Sequence, residues 1–75
     1  MEGKELDLTL LREELIGELE AINQYQDHLG DMENDEAAKV LQHIISDERE
    51  HVAELMKIIQ ELDPKQAEKF AKKAL

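Results

Sequence analysis

Apolar residues recur every three or four positions over most of the chain, the period of an amphipathic helix. In the first half the series is Leu8, Leu11, Leu15, Glu18, Ile22, Tyr25, Leu29. In the second it is Ala37, Leu41, Ile44, Glu48, His51, Leu55, Ile58, Leu62. Alternating strand-like runs are missing, so the pattern predicts an all-α chain. The first helix is predicted over about residues 7–30, with Asp7 or Thr9 as its N-cap and Gly30 just past its end, where glycine permits a left-handed closing residue. Asn34 or Asp35 then caps a second helix over about 35–62. Asp63-Pro64-Lys65-Gln66 reads as a restart: Asp63 caps, Pro64 takes the first helical position, and Gln66 stands where a capping-box partner belongs. A short third helix over 64–75 carries Ala67, Phe70, Ala71 and Ala74 on one side. The brief acidic turn from Asp31 to Asn34 makes the long helices antiparallel neighbours. The prediction is a two-helix hairpin plus a short C-terminal helix, half of a four-helix bundle, in one domain over residues 1–75.

Both apolar stripes are broken at their centres by polar residues. Glu18 interrupts the first; Glu48 and His51, three apart and so on one helical face, interrupt the second. In an antiparallel hairpin the two breaks fall at about the same height. A buried carboxylate is costly unless it neutralises or meets a cation, and neither stripe carries Lys or Arg. Two carboxylates and one imidazole form a ligand set suited to iron, manganese or zinc. A second phase of helix one, Leu15, Leu19, Ile22, Gln26, would leave Glu18 at the stripe edge. Glu48 faces inward in either phase of helix two, since Ile45, Glu48, Val52, Leu55 also passes through it. Tyr25, seven after Glu18, reads as a core aromatic whose hydroxyl can reach a carboxylate. Ala38, Ile45, Val52 and Ile59 form a further apolar row that a lone hairpin would leave wet, which points to burial on two sides and more than a dimer.

Composition narrows the classes. The chain has 75 residues and a formal charge of −10, so a polyphosphate would meet repulsion and nucleic-acid binding is excluded. Without cysteine there is no disulfide, thiolate zinc or iron–sulfur cluster, which leaves metal and self-association to support a marginal core. Apolar runs are too short to span a membrane, and Met1-Glu2-Gly3-Lys4-Glu5 has no secretory character, so a cytoplasmic location is expected. Di-iron carboxylate bundles need a Glu from each of two helices and a Glu-x-x-His from each of the other two. This chain holds one of each, so two copies about a two-fold axis would complete the set, and four Glu carboxylates would neutralise two Fe(II) ions. Metal binding and dimerisation are then linked.

The segments Glu18-Leu19-Glu20-Ala21-Ile22-Asn23-Gln24-Tyr25, Val40-Leu41-Gln42-His43 and Asp47-Glu48-Arg49-Glu50-His51 resemble the encapsulated ferritins of the ferritin-like superfamily. The helix-one pattern is also similar to rubrerythrins, which carry both halves in one chain. The resemblance covers about residues 11–75. It implies a ferroxidase that oxidises Fe(II) to Fe(III) with dioxygen or peroxide, working at a di-iron centre between paired chains. It implies Glu18, Glu48 and His51 as ligands, with Tyr25 beside them. It implies secondary divalent-cation positions at Glu20 and at His43, Asp47 and Glu50. It further implies a decamer of five dimers, and an encapsulin shell as partner and location. Gly17 stands where relatives can carry a further Glu, Gln24 replaces an aromatic, and no segment up to Leu75 is expected to serve as a shell-targeting tail. The rival readings are a non-enzymatic helical oligomerisation module and a rubrerythrin-like peroxide-detoxifying di-metal protein.

Overall fold

A computed structural model describes residues 3–73. Those residues are helical almost throughout: α1 spans Gly3–Gly30, α2 spans Asp35–Leu62 and α3 spans Pro64–Lys72. The two long helices pack side by side as an antiparallel hairpin, and α3 packs against α2. Among the described residues no helix is long and apolar enough to cross a membrane.

Local chemistry explains most of the boundaries. Asn34 Oδ1 accepts from the Ala37 backbone N–H at 2.8 Å and caps α2. Asp63 Oδ1 accepts from the Gln66 N–H at 3.3 Å and caps α3, with Pro64 at the first helical position. Asp63 Oδ2 accepts from Arg12 Nη2 at 2.9 Å, so one carboxylate both starts α3 and ties it to α1. Asp63→Ala is expected to lower stability by about 1–2 kcal/mol in thermal or chemical denaturation. Asp63→Asn keeps the cap and loses only a half-exposed ion pair, so it should recover most of that loss. Equal losses in both variants would show that the ion pair, not the cap, dominates.

Two predicted boundaries change. Helix α1 begins at Gly3, four residues before Asp7, and Thr9 lies inside it with its hydroxyl donating to the Glu5 carbonyl at 3.0 Å. That back-bond belongs to a helix interior, and Glu5 favours the N-terminal turn. Gly30 is the last residue of α1 and does not adopt the left-handed conformation. The helix instead closes by i+3 bonds, Asp31 N–H to the His28 carbonyl at 3.1 Å and Met32 N–H to the Leu29 carbonyl at 3.2 Å. Helix α3 ends at Lys72 with Lys73 as its C-cap; Ala74 lies outside the described residues. Ala67 and Phe70 are half-buried and Ala71 is exposed.

The phase of α2 is the main correction. Ile45 and Ile59 are its buried residues, at 2 % and 6 % exposure, and Ala38 and Val52 are half-buried. The row expected to stay wet in a lone hairpin is therefore the row turned inward. Ile44, Glu48 and Leu55 are half-buried beside it, while Ala37, His51 and Ile58 are exposed. This rotation buries branched aliphatic surface and leaves Glu48 and His51 on a flank, where the carboxylate keeps part of its hydration. In α1 the expected stripe holds: Leu8 is buried, the other six positions from Leu11 to Leu29 are half-buried, and Leu19 and Gln26 of the rival phase are exposed. Leu8, Ile45 and Ile59 are the buried apolar side chains among the described residues, so a lone chain has a thin core. Leu6, Leu10, Ile16, Leu19, Val40 and Ile58 remain exposed.

The hairpin has two unlike flanks. Arg12, Leu15, Met56 and Ile59 line a cleft with Gln66 and Phe70 of α3. Glu14, Glu18, His51, Glu54, Leu55 and Ile58 line a groove that contains no α3 residue. On the helical period Met56 and His51 project from α2 in widely separated directions, so α3 leaves the polar flank open.

Candidate metal centre

Glu18 of α1 faces Glu48 and His51 of α2, which stand one turn apart on a single face. His51 Nδ1 lies 3.6 Å from Glu18 Oε2 and 3.6 Å from Glu48 Oε2. One ligand atom from each residue falls within 4.8 Å of the other two. Exposure is graded: the Glu48 side chain is 16 % exposed, Glu18 25 % and His51 49 %. The carboxylates thus sit deeper, and the imidazole closes the group on its wet side.

These separations exceed a hydrogen bond. Glu18 Oε2 is buried and has no hydrogen-bond partner. Leaving such an atom unsatisfied costs about 1–3 kcal/mol, more when it is charged. No lysine or arginine pairs with Glu18 or Glu48 among the described residues; Arg12 pairs with Asp63 and Lys72 with Glu68. The arrangement satisfies neither carboxylate internally and converges two oxygens and a nitrogen on one point. Ligands of a first-row divalent ion at about 2.0–2.2 Å stand roughly 3.0–3.5 Å from each other, slightly closer than the distances here. Small side-chain rotations suffice to close the set on an ion. The residues fit a metal, but they approach it from one side only.

The remaining predicted residues divide. Tyr25 is half-buried on the α1 stripe, and its hydroxyl makes no hydrogen bond to a described residue, Glu18 included. His43 Nε2 lies 3.4 Å from Asp47 Oδ2, with side chains 76 % and 49 % exposed. Glu50 is exposed and does not join them in a three-ligand group among the described residues, nor does Glu20, which lies on the outer face of α1. Gly17 has open space where a Cβ would project. Glu14 escaped the sequence reading, and Glu54, which continues the outer row His43, Asp47, Glu50 by spacing, lines the groove with Glu14, Glu18 and His51 instead. Their spacing, four before Glu18 and three after His51, carried the signal, but only the relative rotation of the helices shows that both face one groove.

Comparison with known proteins places this geometry in context. The chain is 42 % identical over 57 residues to an encapsulin nanocompartment cargo protein, EncC, of Myxococcus xanthus, covering 76 % of this chain and 44 % of that one. It is 36 % identical over 66 residues to a second such cargo protein, EncB, of the same organism, covering 88 % and 42 %. It is 36 % identical over 63 residues to a ferritin-like–encapsulin shell fusion protein of Pyrococcus furiosus, covering 84 % and 18 %. The chain therefore spans less than half the length of each of these relatives. No solved structure is significantly similar to it. The EncFtn-like family profile matches residues 1–75, and with these relatives it shows that the chain belongs to the EncFtn-like, encapsulated ferritin-like family.

Proposed function

We propose that residues 1–75 are a ferritin-like half-bundle domain that oxidises Fe(II) to Fe(III) at a centre shared by two copies. The observation that carries this reading is the buried, unpartnered Oε2 of Glu18, held with Glu48 and His51 in a three-ligand group open on one side. A second copy about a two-fold axis would supply the opposite half, giving four carboxylates and two imidazoles for two Fe(II) substrate ions. Exposed Ile58 and Val40 on the same side of α2 offer apolar surface for that contact. Anionic oxygens favour Fe(III) over Fe(II), because the higher charge gains more from them. Each Fe(II) gives up one electron; a pair reduces one dioxygen, with two protons, to hydrogen peroxide, or one peroxide to water. Glu18, Glu48 and His51 hold the ions, and Tyr25 shapes the apolar wall beside them. At the surface, Glu20 and the positions His43, Asp47 and Glu50 would take divalent cations more weakly, each with fewer ligands than the centre.

Exposed Ile16 and Leu19 leave α1 with further apolar surface, consistent with association beyond a dimer into a ring of five dimers. Relatives named as encapsulin cargo proteins and as an encapsulin shell fusion support an encapsulin shell as partner, and the lumen of a cytoplasmic nanocompartment as the location.

Sedimentation velocity with metal analysis tests the shared centre. Anaerobic Fe(II) is expected to shift the protein to dimers or multiples of dimers holding about one iron per chain. Admitting dioxygen should then produce ferric absorbance. A monomer indifferent to iron and chelator would overturn the proposal.

A further inference from the structure

The two ends of the hairpin carry opposite charge. From Asp27 to Glu36 the chain has five acidic residues, Asp27, Asp31, Glu33, Asp35 and Glu36, and no Lys or Arg. All five are exposed, and none pairs with a described residue. At the other end, α3 and its C-cap carry Lys65, Lys69, Lys72 and Lys73 against Glu68 alone. Lys72 pairs with Glu68, while Lys65, Lys69 and Lys73 pair with no described residue. Local stability accounts for part of this pattern. Asp35 and Glu36 suit the first turn of α2, and Lys69 and Lys72 the last turn of α3. Asp27 in the last turn of α1 and Lys65 in the first turn of α3 stand at helix ends whose dipole disfavours them.

Shape follows the charge. Met32 is exposed at the hairpin tip, between Asp31 and Glu33. The cleft between α3 and the hairpin has a volume of about 200 Å³ and an apolar wall of Leu15, Met56, Ile59 and Phe70. Lys65 and Lys69 directly precede Gln66 and Phe70, which line it. A flexible thioether flanked by carboxylates therefore has its complement, an apolar cleft beside lysines, on the same chain. Leu15 and Met32 are about 25 Å apart along α1, in a molecule 47 Å long, so the chain cannot fill its own cleft.

We infer that the acidic tip of one copy docks into the α3 cleft of a second copy, with Met32 entering the apolar wall and the tip carboxylates meeting the α3 lysines. Two copies laid antiparallel about a two-fold axis make this contact twice. Asn23 lies midway along α1 between Leu15 and Met32, so the axis passes near it. Leu19, 47 % exposed and four residues after Leu15 on the same face, is then covered near that axis. Parallel copies would set tip against tip and lysines against lysines, which like charge opposes. The contact uses the α3 flank, whereas the groove at the metal group contains no α3 residue, so the docking does not rest on the metal-centre reading.

Sedimentation velocity of the full chain in chelator tests the contact, because metal contributes nothing there. The protein is expected to self-associate at low salt and to lose most of that association at high salt. Asp31→Lys with Glu33→Lys should weaken it about tenfold, and so should Lys65→Glu with Lys69→Glu. A chain carrying all four substitutions has opposite signs facing again and should recover wild-type association. Met32→Ser should weaken it about tenfold through lost apolar burial. These five positions are exposed, so helix content by circular dichroism should match wild type in every variant. Glu48→Ala should leave the chelator-resistant association unchanged; its loss there would assign the contact to the metal flank and overturn the docking. Native association in the tip variant would overturn it too, as would failure of the four-substitution chain to recover, or a monomer in chelator at every salt concentration. Iron content of the same variants judges the metal centre separately.

Discussion

Glu48→Ala is expected to reduce Fe(II) oxidation by about a hundredfold or more and to uncouple assembly from iron. Outer-shell partners of metal ligands typically cost about 10–100-fold when mutated, and loss of a ligand that two symmetry-related ions would share should exceed that range. Glu48 is the least exposed member of its group, at 16 %, so water replaces its oxygen poorly. The substitution should not unfold the chain. Alanine has the highest helix propensity, and removing a half-buried carboxylate lowers the cost of forming the hairpin without metal. Helix content by circular dichroism should therefore match wild type while ferric absorbance fails to develop. Glu61→Ala, on the exposed side of the same helix, should oxidise iron at the native rate. A native rate in Glu48→Ala, with wild-type iron content, would remove the centre from this group of residues.

What the sequence disclosed depended on how far apart the interacting residues are. Asp63 and Pro64 announce the α3 boundary because a cap and a fixed φ act within a few residues, and the structure places both where that chemistry puts them. The α1 stripe from Leu8 to Leu29 was legible from its three-and-four spacing, although Leu6, Leu10, Ile16 and Leu19 lie off it and stay exposed. The phase of α2 was not, since Ile44, Ile45, Leu55, Ile58 and Ile59 make an arc wide enough for two rows, and the choice between them depends on what α1 presents. Glu48 belongs to both rows, which is why it could be singled out whichever row turned inward. The end of α1 closes by local i+3 bonds to the His28 and Leu29 carbonyls, so Gly30 is not needed in a left-handed conformation. The Arg12–Asp63 pair joins residues 51 apart, beyond any local periodicity. Glu14 and Glu54 converge only once the height and rotation of both helices are fixed. Glu18, Glu48 and His51 were legible earlier because each breaks an apolar pattern at its centre; Glu14 and Glu54 break none.

Glu18→Leu is expected to move stability and iron affinity in opposite directions. The Glu18 side chain is three-quarters buried between Leu15 and Ile22 on the α1 stripe, and no group of the chain hydrogen-bonds its Oε2. Leucine continues that stripe, removes an unsatisfied acceptor, and adds apolar contact with the facing helix. The metal-free protein should gain about 1–2 kcal/mol, or roughly 4–8 °C in Tm per kcal/mol for a domain this small. Iron binding should fall below detection, because two ligands on one helix remain and nothing on α1 opposes them. Glu18→Gln separates charge from shape: it should give a smaller Tm gain, since its amide still lacks a partner, with a comparable loss of iron. Thermal denaturation in chelator, run beside iron titration of the same samples, reads both quantities. A Tm for Glu18→Leu below wild type would mean that the carboxylate is already satisfied without metal, and the reason for assigning it to a cation would be gone. A rise in Tm with loss of iron would show the apolar seam holding a destabilising carboxylate that fold stability alone does not explain. That signature separates a ligand from a polar residue that only fixes the register of a helical assembly, whose removal leaves iron out of the comparison altogether.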